Sequence, residues 1–370
     1  AVIFSVLPGC ASAATGGDQP GPAADVQPDP AAADQLAAQL AADLGKAASG
    51  DTVTLSGGVR LQTALTVPVG VTLEITGDGG LWLEDGVILT VNGTVTSSVN
   101  SRIGITDSAR SATINGSGTI KLLSRGNLLA IHGANKKLTL DGVTLVGLPD
   151  NDSQLVWIGE GGELVLKSGA ITGNTSTSGW TGGVYIGEKS TFTMEGGTIT
   201  GNASGNAAVW VAESSTFTMK SGEISGNKCR GVFVLGATAT FIMEGGEISG
   251  NPGNANCGQG VAVNKGTFIM KGGVIHGNAK TSREGGGVFV TGDGYFEMIG
   301  GRIQGSRDSD GFTGNIDNER KAAALHLNMS RSKWGTGGTY TIGGVSQLGG
   351  SEIVAHSSGT NDTLIATPGK

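Results

Sequence analysis

Phe192-Thr-Met-Glu-Gly-Gly-Thr-Ile-Thr-Gly-Asn202 decides the fold, because it recurs. The unit F-x-M-x-G-G-x-I-x-G-N returns as FTMKSGEISGN at 217–227, FIMEGGEISGN at 241–251 and FIMKGGVIHGN at 268–278. Degenerate copies are LVLKSGAITGN at 164–174 and FEMIGGRIQGS at 296–306. Leu replaces Met in KLTLDGVTLVG at 137–147, and TYTIGG at 339–344 reads as a last copy. The methionines at 194, 219, 243, 270 and 298 are 24 to 28 residues apart. About ten residues before each lies a second apolar triplet, from Val184-Tyr-Ile to Val288-Phe-Val. Self-similarity at this period is the mark of a solenoid, in which each repeat buries its apolar side against its neighbours.

Alternate residues of a strand point to opposite faces, so Phe and Met of F-x-M share one direction, as do the outer residues of V-x-V. Three short strands per coil, with glycine-rich corners, enclose a narrow prism. Phe192 should then stack on Phe217 and Phe241, and Met194 on Met219 and Met243. Paired glycines such as Gly196-Gly197 suit tight corners, where positive φ is easy only for Gly. Asn174, Asn202, Asn227, Asn251 and Asn278 should form an amide ladder that ties down turn backbone at another corner. About ten coils at ~4.8 Å give a rod on the order of 50 Å long. The residue after each Met or its equivalent is Asp141, Lys167, Glu195, Lys220, Glu244 and Lys271. The alternating sign predicts attraction between neighbouring coils, worth ~0.2–1 kcal/mol per exposed pair.

Composition agrees with a long repeat domain. Glycine occupies 67 of 370 positions without collagen's period of three, and charged residues make up only 15%. Regular apolar alternation excludes general disorder. Net charge is 24 − 31 = −7 with no basic run, which argues against nucleic acid as a partner. No segment is apolar for long enough to span a bilayer.

Outside the repeats, residues 1–13 read as the remnant of an export signal. Leu7-Pro8-Gly9-Cys10 resembles the lipobox of bacterial lipoproteins, which would make Cys10 the lipidated residue and the membrane contact a lipid anchor only. Ala11-Ser12-Ala13 offers the alternative of ordinary signal cleavage. Residues 14–30, rich in Ala, Gly, Pro and Asp, read as a flexible tether. In 31–48, Leu36, Leu40 and Leu44 share one helical face, and a helix here would cap the open end of the solenoid that fills 49–370.

The F-x-M-x-G-G-x-I-x-G-N units resemble the repeats of bacterial surface proteins with a pectate-lyase-like β-helix. These include repeat-bearing lipoproteins and the passengers of polymorphic outer-membrane proteins. The resemblance covers roughly residues 50–345. It implies an all-β, single-stranded right-handed parallel β-helix with an N-terminal capping α-helix, at the bacterial cell surface or outer membrane. Such proteins are commonly adhesins, which makes a polysaccharide or a host or cell-surface glycan the expected partner. The same fold carries polysaccharide lyases and glycoside hydrolases, so fold alone does not assign activity.

Lyases of this fold need Arg or Lys near acidic residues that hold Ca²⁺ or face a uronate, and hydrolases need converging carboxylates. Here the carboxylates mostly alternate with Lys. The irregular stretch 306–321 and its neighbours would supply an enzyme's groups: Asp308, Asp310, Asp317, Glu319 and Arg331. Asp308-x-Asp310-Gly311 partly matches a calcium loop. His132, His276, His326 and His356 are scattered and suggest no metal centre. A non-catalytic binder is the reading preferred from sequence.

Its expected ligand strip is the outward row of the V-x-V strands: Ala130, Trp157, Tyr185, Trp210, Phe233, Ala262, Phe289 and His326. Trp157, Tyr185, Trp210, Phe233 and Phe289 would expose planar rings suited to sugars. The segments before these strands vary most in length, as loops lining a solenoid's binding face often do. Cys229 and Cys257 precede equivalent strands by three and four residues, which predicts a disulfide between successive coils. Thr191-x-Thr193 above Thr216-x-Thr218 also raises an ice-binding face, although the next coils change to Thr-x-Ile.

Overall fold

The computed structural model describes residues 30–304, apart from 78–79, 99–101, 180, 253–258, 279–285 and 292–293. Beyond 304 it describes the strands at 325–327, 333–334, 339–342, 345–348 and 363–367. The chain forms a parallel β-solenoid whose coils each present three faces, as the alternation demands. The Val face is an 11-stranded parallel sheet that starts at Val59–Leu61 and includes Val184–Ile186, Val232–Val234 and Leu325–Leu327. The Phe face carries the F-x-M strands, from Leu65–Val67 through Thr191–Met194 to Tyr295–Met298 and Lys333–Trp334. The Ile face runs from Thr52–Ser56 through Thr198–Thr200 to Gly301–Gln304.

Like residues do stack. Phe192, Phe217, Phe241, Phe268 and Phe296 are register partners in sequence, fully buried, with ring centroids 4.8–5.1 Å apart. Between the first four, the ring planes differ by no more than 8°. The rings follow the spacing of about 4.8 Å that the backbone hydrogen bonds between coils set. Met194, Met219, Met243, Met270 and Met298 fill the space beside it, all buried.

The turn from the Phe face to the Ile face depends on the second glycine of each pair. Gly197, Gly222, Gly246 and Gly273 have φ of 75–90°. A Cβ at Gly246 would also lie 2.7 Å from the Gly222 carbonyl oxygen and 2.7 Å from Met219 Cε. The first position has no positive φ, and Ser168 and Ser221 stand there in two coils, although a Cβ at Gly245 would come 2.5 Å from the Lys220 carbonyl oxygen.

The asparagine ladder forms at the corner between the Ile and Val faces, fully buried. Asn227 Nδ2 donates to Asn251 Oδ1 at 3.0 Å and to the Ile199 carbonyl at 2.9 Å, and the Asn227 backbone N–H donates to Asn251 Oδ1 at 3.1 Å. Asn202 and Asn251 repeat these contacts one coil on either side. The ladder runs one step further than the repeats suggest: Asn151 Nδ2 donates to Asn174 Oδ1 at 2.9 Å.

The charge row is paired two by two. Lys220 Nζ lies 3.1 Å from Glu195, and Lys271 Nζ lies 3.3 Å from Glu244. The expected Asp141–Lys167 step is corrected. A register shift after Leu140 sets Asp141 opposite Ser168, whose hydroxyl donates to it at 2.7 Å. The expected last copy at 339–344 is corrected too. Thr339–Ile342 pairs antiparallel with Val345–Leu348 and with Thr363–Thr367, and the latter strand also runs antiparallel to Gly301–Gln304. The apolar alternation is that of the repeats, but the strand direction ends the parallel stack.

At the other end a helix, Pro30–Lys46, covers the first coil. Leu40 and Leu44 are buried, Leu36 packs partly buried against the same core, and Gln62 Nε2 donates to Asp34 at 3.0 Å. Near this end Arg60 pairs with Glu84, which also accepts hydrogen bonds from Thr106 and Ser108. Burial pushes the Glu84 carboxyl up, but hydrogen bonds from Ser108, Arg60 and Thr106 outweigh it and hold it below the usual carboxylate range.

Three substitutions test these two corners. Asn251→Ala would strand the Asn227 N–H and the Ile224 carbonyl inside the corner and should cost ~2–5 kcal/mol in urea unfolding. A loss under ~1 kcal/mol would show that water replaces the ladder. Gly246→Ala should cost ~1–3 kcal/mol from its positive φ, while Gly245→Ser, which copies Ser221, should cost less.

Candidate binding face and its variable corner

The expected ligand row exists as a row. Ala130, Trp157, Tyr185, Trp210, Phe233, Ala262, Phe289 and His326 are successive register partners on the Val face. It extends toward the N-terminus through Gly104 to Trp82 and Arg60. The expected exposure is corrected, because Trp157, Tyr185, Trp210, Phe233 and Phe289 are all buried, with Trp210 only 2% exposed.

The rings lie down on the sheet instead of standing out. The Trp157 ring occupies the space above Gly159, where a Cβ would fall 1.9 Å from Trp157 Cη2, and the Tyr185 ring edges over Gly187 in the same way. Neighbouring rings then fill one another's flanks. Centroids of Tyr185 and Trp210 are 6.2 Å apart, and Trp210 meets Phe233 edge-on at 5.1 Å. His132 leans on Trp157 at 4.2 Å. Ala207, Ala212 and Ala262 complete a second apolar cluster outside the prism, with Leu235 packed on it. The Arg230 guanidinium stands 5.1 Å over the Phe233 ring, and its Nη1 donates to Asn206 Oδ1 at 3.3 Å. The sequence carried one signal for this: a small residue two positions after the ring, in Trp157-Ile-Gly159, Tyr185-Ile-Gly187 and Trp210-Val-Ala212.

The loops before these strands leave from the Asn corner, and their lengths set it apart. Between Ile-face and Val-face strands the chain spends four residues at 226–229, six at 201–206, 11 at 250–260, 11 at 277–287 and 20 at 305–324. The Phe-to-Ile corner keeps three residues at 195–197, 220–222, 244–246 and 271–273. The long interval after Met298 is also explained. Leu325–Leu327 and Lys333–Trp334 supply a further rung on the Val and Phe faces, so residues 305–324 connect an Ile-face strand to a Val-face strand, as the shorter loops do. Of the residues expected to form an enzyme's groups, Asp308, Asp310, Asp317, Glu319 and Arg331 lie outside the described residues, as does Cys10.

The expected disulfide is corrected as well: Cys229 is free and buried, its Sγ 3.7 Å from the Asn202 carbonyl, and Cys257 lies outside the described residues. Burial pushes the Cys229 thiol up to about 12. Among the described residues no group of three His, Cys, Asp or Glu side chains is placed to hold a metal ion. Two described carboxylates, Asp85 and Glu213, serve the scaffold. Asp85 accepts from the backbone N–H groups of Ser111 and Arg110, which lower its pKa. Glu213 accepts from Thr238, which lowers its own.

The family described as "Right handed beta helix region" matches residues 131–269, the stretch that contains most of the regular coils. No curated protein and no solved structure matches the chain.

Two measurements follow from the burial. Trp210→Ala should destabilise the fold by ~3–5 kcal/mol, as for a core aromatic, whereas an exposed ring would cost little. The Cys229 thiol should resist alkylation in the native chain at pH 8 and react once the chain is unfolded. Because the folded thiol stays protonated while the unfolded one ionises near its ordinary value of 9.0, its contribution to stability should be lost as pH rises from about 9 to about 12. Together the registers, the cap and the matched family make the chain a right-handed parallel β-helix closed at its N-terminal end by a single α-helix.

Proposed function

We propose that the chain is a non-catalytic, surface-displayed binding protein of adhesin type. Its ligand is a polysaccharide or a cell-surface glycan, and the loops of the Asn corner make the contact. The supporting observation is that, in the regular coils, length varies most at that corner, from four residues to 20, while the Phe-to-Ile corner keeps three and the Val-to-Phe corner stays between two and five. A rigid scaffold that varies its loops along one edge is how repeat proteins build binding surfaces. The aromatic row lies buried beside that edge, with Arg230 stacked on its Phe233 and Lys228 exposed in the four-residue connection 226–229. In this reading Cys10 carries a lipid and residues 14–30 tether the rod to the membrane.

A glycan array tests the reading with the full chain and with a variant in which 250–260 and 277–287 are each shortened to the four-residue form of 226–229. Binding by the parent that is lost in the variant, with an unchanged melting transition, is the expected result. Unchanged binding would remove the corner from consideration. Release of new reducing ends or unsaturated uronates from a bound polysaccharide would replace the binder with a carbohydrate-active enzyme. Mass spectrometry of the membrane-extracted protein checks the anchor: a mature chain beginning near Ala14 without lipid would refute it.

A further inference from the structure

The Phe face lies opposite the Asn corner in the three-sided coil, and its outer surface is flat and patterned. The register sets Thr191, Thr216, Thr240 and Thr267 in one outward row. Beside it run Thr193, Thr218, Ile242 and Ile269. None of these eight side chains is charged, and all are partly open to solvent. The third row is Glu195, Lys220, Glu244 and Lys271, with 38–49% of each side chain exposed.

We propose that this face binds a second copy of the chain, with the two rods antiparallel and related by a two-fold axis that runs along the strand direction. That operation lays each row on itself in reverse order. An alternating series of even length is complementary to its own reverse: Glu195 meets Lys271 of the other copy and Lys220 meets Glu244, twice over. Threonines meet threonines, and Thr218 meets Ile242. A two-fold axis along the rod would instead set the charged row against threonines, which satisfies no charge.

The contact extends one coil further on each side, but less well matched: Glu163 falls opposite Tyr295, whose hydroxyl already donates to Glu297, and Val165 falls opposite Glu297. Six coils at ~4.8 Å by a strand width of ~18 Å with side chains cover about 500 Å² per copy. The total of about 1,000 Å² is at the lower limit for a specific contact, so the dimer is weak and forms at micromolar concentration. It leaves both Asn corners facing outward, one on each side.

Sedimentation equilibrium of the full chain should show a concentration-dependent dimer. Glu244→Lys sets Lys against Lys220 at two symmetric positions and should weaken it about tenfold or more. Lys220→Glu with Glu244→Lys restores opposite charges at every rung and should bring the affinity back to within about threefold of the parent. Circular dichroism melting of each variant separates loss of the dimer from loss of the fold. A chain that stays monomeric up to about 100 µM overturns the proposal. So does a dimer indifferent to Glu244→Lys, or a double variant no better than the single. A monomer that shows thermal hysteresis in freezing would overturn it in favour of ice as the partner of the threonine rows.

Discussion

A buried amide that has to find four partners holds this structure in register. Each asparagine of the corner ladder is sealed from water, so every donor and acceptor it carries must be met inside the protein. The side chain of the next coil and the backbone of the previous one meet them. A slip of one residue in any coil would leave several groups unpaired and turn the Phe and Met side chains to solvent. The ladder specifies register, and the stack of parallel rings on the face opposite supplies the apolar burial that register protects. Pairing between Glu195 and Lys220 adds to this at the surface, by the smaller amounts typical of exposed charges.

The same constraint explains where variation is tolerated. At the Phe-to-Ile corner a glycine with positive φ and close backbone approach leaves no room for an insertion. At the Asn corner the amide already closes the turn from inside. The chain can then leave after the asparagine, travel any distance, and return to start the next Val-face strand. A loop of 20 residues there costs little more closure entropy than one of ten. The corner most firmly held from within is therefore the one best able to carry loops of variable length. The capping helix covers the open N-terminal end, and at the other end an antiparallel strand occupies the edge of the Ile face.

The period of the F-x-M-x-G-G-x-I-x-G-N unit determined by itself that the chain coils in parallel, which residues face the prism and which stack on which. Those are consequences of alternation along a strand and of repetition between strands, and both are local. The sequence also placed the capping helix within a residue or two and named most of the ladder. Only the tertiary structure decided the fate of the aromatic row. Trp157, Tyr185 and Trp210 point away from the core as alternation requires, but outward does not mean exposed, because the rings lie down over Gly159, Gly187 and each other. The direction of Thr339–Ile342 was equally hidden, since antiparallel and parallel strands share one alternation pattern and differ only in what they pair with. So was Asn151, which lies outside the repeat spacing and joins the ladder because its loop folds back to Asn174. Local periodicity is written into the chain. Burial outside the core and the partner of a terminal strand depend on contacts between segments far apart in sequence, and only folding brings these together.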